Sequence, residues 1–202
     1  MPLTFCIAGA LLQGQISAKI YAGKVLKGRV EMSQKLVGNG QLAVHVKLTA
    51  DAPGSSLEFN YLYDKTGMPI SEDVIERSPR ASVDVSVAYG SKGVTEKAHA
   101  GSQSRNLNLP YPKGADLRDP TAFWFIRDHV KPGAVAKYTE FDVNKQRWIP
   151  KVQTYSGDEM ITYNGQKVRA HKIKSSTATV WLDDHALPYK MTQADGSVIV
   201  RD

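Results

Sequence analysis

Cysteine is nearly missing from this chain. Cys6 is the only one in 202 residues, so no intramolecular disulfide can form and a disulfide-stapled fold is excluded. It sits inside an apolar run, where burial raises a thiol pKa, so a reactive nucleophile is not expected there. Phe5 precedes it, where a lipidated cysteine normally follows a small residue. Long hydrophobic segments are missing too. The longest apolar run, residues 3–12, falls well short of the roughly 20 residues a helix needs to span a bilayer, and Gln13, Gly14 and Gln15 interrupt it. No transmembrane span is expected. Blocks of like charge are also lacking. Lys+Arg number 26 against Asp+Glu 20, a formal +6, but Lys24, Lys27, Arg29, Lys35 and Lys47 come singly, as on a solvated strand face. No nucleic-acid partner is expected.

The usual constellations of catalysis are lacking as well. Gly38-Asn39-Gly40 is followed by neither a helix nor an acidic residue at dinucleotide-binding distance. Ser55-Ser56 and Ser175-Ser176-Thr177 lack the small-residue elbow that exposes a serine nucleophile. His45, His99, His129 and His171 lie far apart. Asp183, Asp184 and His185 are sequence neighbours that point in different directions, with no fourth ligand at metal spacing, and read as a solvated turn. Asp158-Glu159 and Glu72-Asp73 resemble glycosidase pairs only on paper, because neighbours on a strand face opposite sides. Neither an enzyme, a metal nor a cofactor is expected.

What the chain does contain is alternation. Val44, Val46 and Leu48 alternate with His45, Lys47 and Thr49; Phe59, Tyr61 and Tyr63 with Glu58, Asn60 and Leu62; Val83, Val85, Val87 and Tyr89 with Asp84, Ser86 and Ala88. A period of two marks half-buried strands. Turn signals separate them: Gly38-Asn39-Gly40, Pro53-Gly54-Ser55, Lys65-Thr66-Gly67, Gly90-Ser91-Lys92-Gly93, Ala194-Asp195-Gly196 and, sharpest, the hairpin pair Asn164-Gly165. Short strands joined by tight turns make antiparallel sheet, since parallel neighbours need long crossovers. Aromatics near cations, such as Tyr61 and Tyr63 near Lys65 or Trp148 beside Arg147, read as core packing rather than base stacking.

One segment breaks the period. Asp119 can cap and Pro120 can open a short helix over about 120–128, and Lys131-Pro132-Gly133 stops it. Its centre, Ala122-Phe123-Trp124-Phe125-Ile126, is apolar on nearly every side, so it should plug the hollow of a curved sheet. At the other end of the chain, residues 1–18 carry no charge and end in a small residue, Ala18. They predict a signal peptide, with residues 19–202 as one β-rich domain outside the cytoplasm. The alternative for this stretch is a buried first strand.

The ordered series Asp119-Pro120-Thr121 with the aromatic segment, Val130-Lys131-Pro132-Gly133, 138–143, Gly157-Asp158-Glu159, Gly165 and Val180-Trp181-Leu182-Asp183-Asp184 with Leu187-Pro188 and Lys190-Met191 resembles a known pattern. It is similar to an uncharacterised exported β-rich domain found alone or ahead of transglutaminase-like peptidase cores, itself shaped like the half-barrel of lipoprotein carriers. The resemblance covers about 105–202 by motif and the rest by strand rhythm. It implies a strongly curved antiparallel sheet whose concave side holds apolar material. No peptidase core follows in this sequence, so no catalytic residue carries over.

The expected fold is therefore mainly β: a strongly curved antiparallel half-barrel with one short helix on its concave face. The expected function is non-enzymatic binding of an apolar or lipid-like ligand, with Phe123, Trp124, Phe125, Ile126, Tyr61 and Trp181 as candidate contacts. The alternative is an accessory domain of the cell envelope that meets a protein partner, such as a transglutaminase-like peptidase, through an edge strand. A hydrolase ranks third.

Overall fold

The computed structural model describes residues 14–51, 53–119, 124 and 128–202. The alternating segments form strands where the pattern places them. From the first end these are β1 (Gly14–Ala22), β2 (Val25–Val37), β3 (Gln41–Ala50), β4 (Ser56–Tyr63), β5 (Pro69–Arg77), β6 (Ser82–Tyr89), β7 (Gly93–Ala100) and β8 (Gln103–Pro110). After a crossover come β9 (Val135–Asp142), β10 (Arg147–Tyr163), β11 (Gln166–Ser175), β12 (Ala178–Leu182), β13 (Pro188–Gln193) and β14 (Ser197–Arg201).

All fourteen belong to one antiparallel sheet. Each strand pairs with its sequence neighbour, with two exceptions: β1 pairs with β14, and β8 does not pair with β9. The chain thus starts at the middle of the sheet, winds out to the β8 edge, crosses over, and returns from the β9 edge to the middle. Two-residue turns set the register locally. Asn164 (φ 49°) and Gly165 (φ 76°) join β10 to β11, the left-handed pair that matches the twist of a tight hairpin. The seventeen-residue β10 has a register shift between Tyr155 and Gly157. Gly157 has φ 98° there, and a Cβ on it would stand 3.2 Å from Pro132, so glycine is required where this bulge bends the strand.

The sheet rolls until its two edges overlap, yet they are joined by side chains and loops rather than by a backbone ladder. Phe141 of β9, 2% exposed, packs with Val87 of β6 and Val94 of β7, and Trp148, Leu107 and Leu109 surround that cluster. Trp148 Nε1 donates to the carbonyl of Pro110 at 2.9 Å, and Thr139 N donates to Asp116 O at 2.7 Å in the crossover. A second cluster, Trp124, Tyr155, Ile173, Leu182 and Ala186, fills the other wall.

The expected helix at 120–128 lies mostly outside the described residues, and no α-helical element is established among those described. At the first end, Gly14–Ala18 falls within the segment assigned above to a leader. In the structure these five residues belong to β1 and pair with β2, Ala18 also with Arg201 of β14, with Ile16 8% and Ala18 1% exposed. Residues 1–13, with Cys6, lie outside the described set. No helix among the described residues is long and apolar enough to cross a membrane.

Candidate functional site

The inward faces follow from strand pairing. Leu42, Val44 and Val46 on β3 stand opposite Tyr63, Tyr61 and Phe59 on β4; Tyr61 and Phe59 stand opposite Glu72 and Val74 on β5; Glu72 stands opposite Val87 on β6. Because Val74 and Val87 are buried, the alternation carries Glu72 inward with them, while Asp73 alternates to the other face. The three aromatic residues of β4 stack along the strand, with ring centroids 6.0 and 6.2 Å apart.

Inside the roll lies a cavity of about 250 Å³. One part of its wall is apolar: Met32, Val44, Val46, Pro69, Leu117 and Ala186. The rest holds the hydroxyl-bearing rings of Tyr61, Tyr63, Tyr89 and Tyr138 and three carboxylates, Glu72, Asp119 and Glu140. These come from β4, β5, β6, β9 and the crossover, so only the rolled sheet assembles them. No lysine, arginine or histidine lines the cavity among the described residues.

Burial dominates the electrostatics. Glu72 is 8% exposed. Loss of water, reinforced by the nearby Glu140, pushes its pKa up to about 8, against a hydrogen bond from the Tyr89 hydroxyl that favours the ionised form. Burial also raises Glu140, partly offset by Lys151, whose Nζ lies 3.3 Å from its carboxylate. The phenols of Tyr61, Tyr89 and Tyr138 are held far above the usual range, first by burial and then by neighbouring carboxylates. Tyr63 donates to Asp119 Oδ2 at 3.3 Å, and Gln153 Nε2 donates to the Tyr138 oxygen at 3.1 Å. At neutral pH the cavity therefore holds protonated phenols and a Glu72 that is mainly neutral.

The expected contact residues are dispersed. Tyr61 lines the cavity. Trp124 is buried against Tyr155, Ile173, Leu182 and Ala186, and Ala186 also borders the cavity. Trp181 lies away from it, with the ammonium groups of Lys172 and Lys190 at 5.2 and 5.3 Å from its ring and Glu159 accepting its indole N–H at 3.2 Å. Phe123, Phe125 and Ile126 lie outside the described residues. Sequence reading missed Glu72, Asp119 and Glu140 as site residues. The rhythm Glu72-Asp73-Val74 carried the signal for the first; the other two are brought in by the roll.

A second charged cluster sits on β10 and β11. His171 Nδ1 is 2.7 Å from Asp158 Oδ1 and its Nε2 is 2.9 Å from Asp184 Oδ1, while Tyr155 donates to Asp158 at 2.6 Å and Arg169 Nε pairs with it at 2.7 Å. Asp183 organises the adjoining turn: its Oδ1 accepts from His185 N and Leu187 N, and its Oδ2 accepts from Arg201. The side chains of Asp183 and Asp184 thus serve the turn and its neighbours. No group of three or more metal-ligating residues stands together among the described residues.

No protein-family model matches the chain, and no curated protein sequence does. Solved structures do. A β-barrel-like protein of domain of unknown function DUF1849 from Brucella abortus superposes with a TM-score of 0.60 at 10% identity, over 95% of this chain and 96% of that one. A DUF1089 family protein from Pseudomonas aeruginosa gives 0.41 at 13% identity, over 79% and 86%. At the first of these identities the likeness is one of fold: this chain has the β-barrel-like architecture of the Brucella protein along nearly its whole length.

Proposed function

We propose that this chain is a non-catalytic binding domain that takes a small, largely apolar molecule into the interior of its rolled sheet. The observation that carries the reading is the 250 Å³ cavity, with apolar side chains on one part and a few converging polar groups on another, the usual make-up of a small-molecule site. Its size limits the occupant. An apolar cavity of ~150 Å³ accommodates benzene, so this one suits a single substituted ring or a short branched chain, or the end of a longer lipid-like molecule. The reading includes a site of action outside the cytoplasm, which the sequence's resemblance to exported domains supports, and a ligand that is held rather than transformed.

Titration with toluene, followed by methyl resonances in protein NMR, tests the reading. Saturable shifts centred on Met32, Val44 and Val46 are expected. Shifts that do not saturate, or that scatter over the outer face, would remove it.

The alternative, an accessory domain that recruits an envelope protein, has one feature in its favour. Among the described residues β8 pairs only with β7, and its first four residues, Gln103, Ser104, Arg105 and Asn106, are exposed, so this half of its outer edge can accept a partner strand.

A further inference from the structure

We infer that the occupant of the cavity carries a positive charge, as an organic ammonium whose apolar body lies against Met32, Val44 and Val46 and whose cationic end meets Glu72. This rests on the small-molecule reading and names the chemical class of the ligand.

Three observations converge on it. The first is composition: three carboxylates and no cationic side chain line the cavity among the described residues. Glu140 has Lys151 beside it and Asp119 has the Tyr63 hydroxyl, but Glu72 forms no ion pair among the described residues. The charged groups that act on it are Glu140 and Asp142 from β9 and Asp73 from its own strand, all of them acidic, and its hydrogen bond is to Tyr89 of β6. An almost fully buried carboxylate without a counter-ion is costly unless it is protonated or a cation arrives.

The second is the kind of wall. Tyr61, Tyr63, Tyr89 and Tyr138 all line the space, and phenol rings attract a cation through the negative face of their π-system when it comes within about 6 Å of the ring centre. An anionic ligand would meet three carboxylates and the same negative ring faces. A neutral one would leave Glu72 to keep its proton and would gain nothing from the carboxylate's charge.

The third is protonation. Burial pushes Glu72 up to about 8, so an arriving ammonium displaces a proton from it at neutral pH. The cation and the proton compete for one carboxylate. Uptake of the ammonium therefore strengthens as pH rises toward 8, whereas uptake of an uncharged molecule of the same shape does not.

Calorimetric titration of the full chain with three molecules of matched shape tests this: phenethylamine, 2-phenylethanol and 3-phenylpropionate, each at pH 6 and pH 8.5, on the native protein and on Glu72→Gln. The expected result is that phenethylamine binds at least tenfold tighter than 2-phenylethanol at pH 8.5. Its affinity should fall about tenfold or more on going to pH 6, as ionised Glu72 becomes scarce, and its heat at neutral pH should vary with the ionisation enthalpy of the buffer. Glu72→Gln should remove both the preference for phenethylamine over the alcohol and its pH dependence, and a native-like circular dichroism melt at pH 6 shows that the variant is folded. Equal or tighter binding of the alcohol or the carboxylate by the native protein would overturn the cation inference and leave the small-molecule reading standing. Failure of all three to bind would overturn both.

Discussion

Gln146 Nε2 donates to Glu96 Oε1 at 2.8 Å, and this bond spans the seam where the two edges of a fourteen-stranded sheet meet without a backbone ladder. Gln146 occupies the turn between β9 and β10 with φ 51°, an uncommon backbone for a side chain of its kind. Glu96 on β7 is wholly buried. The same carboxylate oxygen accepts from Arg105 on β8 at 2.8 Å, so one buried acceptor ties both edges of the roll.

Loss of that tie should loosen the roll. Gln146→Ala removes a hydrogen bond to a buried charged group and is expected to cost about 1.5–3 kcal/mol. Phe141→Ala, which empties the apolar part of the same seam, is expected to cost about 3–5 kcal/mol. Urea denaturation curves of the two variants check both figures. Values near zero would mean that the overlap of the edges does not contribute to stability.

Stability should depend on pH through Glu72. Its pKa rises from an unfolded value of 4.5 to about 8 on folding, so the folded protein holds a proton that the unfolded chain releases. The stabilisation this provides is complete below about 4.5 and is lost progressively as pH rises through about 8. Glu72→Gln cannot titrate. Relative to the native protein, the variant should gain a few kcal/mol in going from pH 5 to pH 9, read as a growing separation of their urea midpoints. A constant separation would show that Glu72 does not change protonation on folding.

Asp158 should act in the opposite sense. Burial alone would raise its pKa, but the bonds from Tyr155 and His171 and the nearby Arg169 outweigh it and hold the carboxyl below its usual 3.8. Its contribution is present above that value and is lost as pH falls through the lower folded-state pKa. Asp158→Asn is expected to lower the thermal midpoint at pH 7 and to change it little near pH 2. An equal loss at both pH values would assign the role to shape rather than charge.

The start of the sheet gives a further expectation. β1 links the two halves by pairing with β14 and β2, and Ile16 and Ala18 are core residues. A chain that begins at Gly14 should therefore melt cooperatively. One that begins at Lys19 lacks two core side chains and half of that strand, and should lose several kcal/mol or fail to fold. Circular dichroism melts of the two chains compare them directly, and similar midpoints would mean that these five residues are dispensable.

The strands themselves were open to reading from the sequence. Runs such as Val44, Val46 and Leu48 must present one face to the core, and Asn164-Gly165 allows the left-handed backbone a tight hairpin needs. The first strand was harder, because an apolar leader and a strand at the centre of a sheet are written in the same residues; in the structure Ala18 stands between Arg201 and Val30. Trp181 was named as a candidate ligand contact in the hollow. Two lysines and a glutamate instead accommodate it on the other face, while Val180 and Leu182 turn inward. The carboxylates were hidden for another reason. Templates for paired acids compare neighbours in sequence, whereas Glu72 and Glu140 approach each other only when the β9 edge folds across the opposite wall.

Whether the roll encloses a space that holds a ligand is decided by a crystal structure of the protein grown with phenethylamine at pH 8.5. Density is expected for the ring against Val44 and Val46, with the nitrogen about 3 Å from a Glu72 oxygen. Density only on the outer face, or an interior filled by the protein's own side chains, would contradict it.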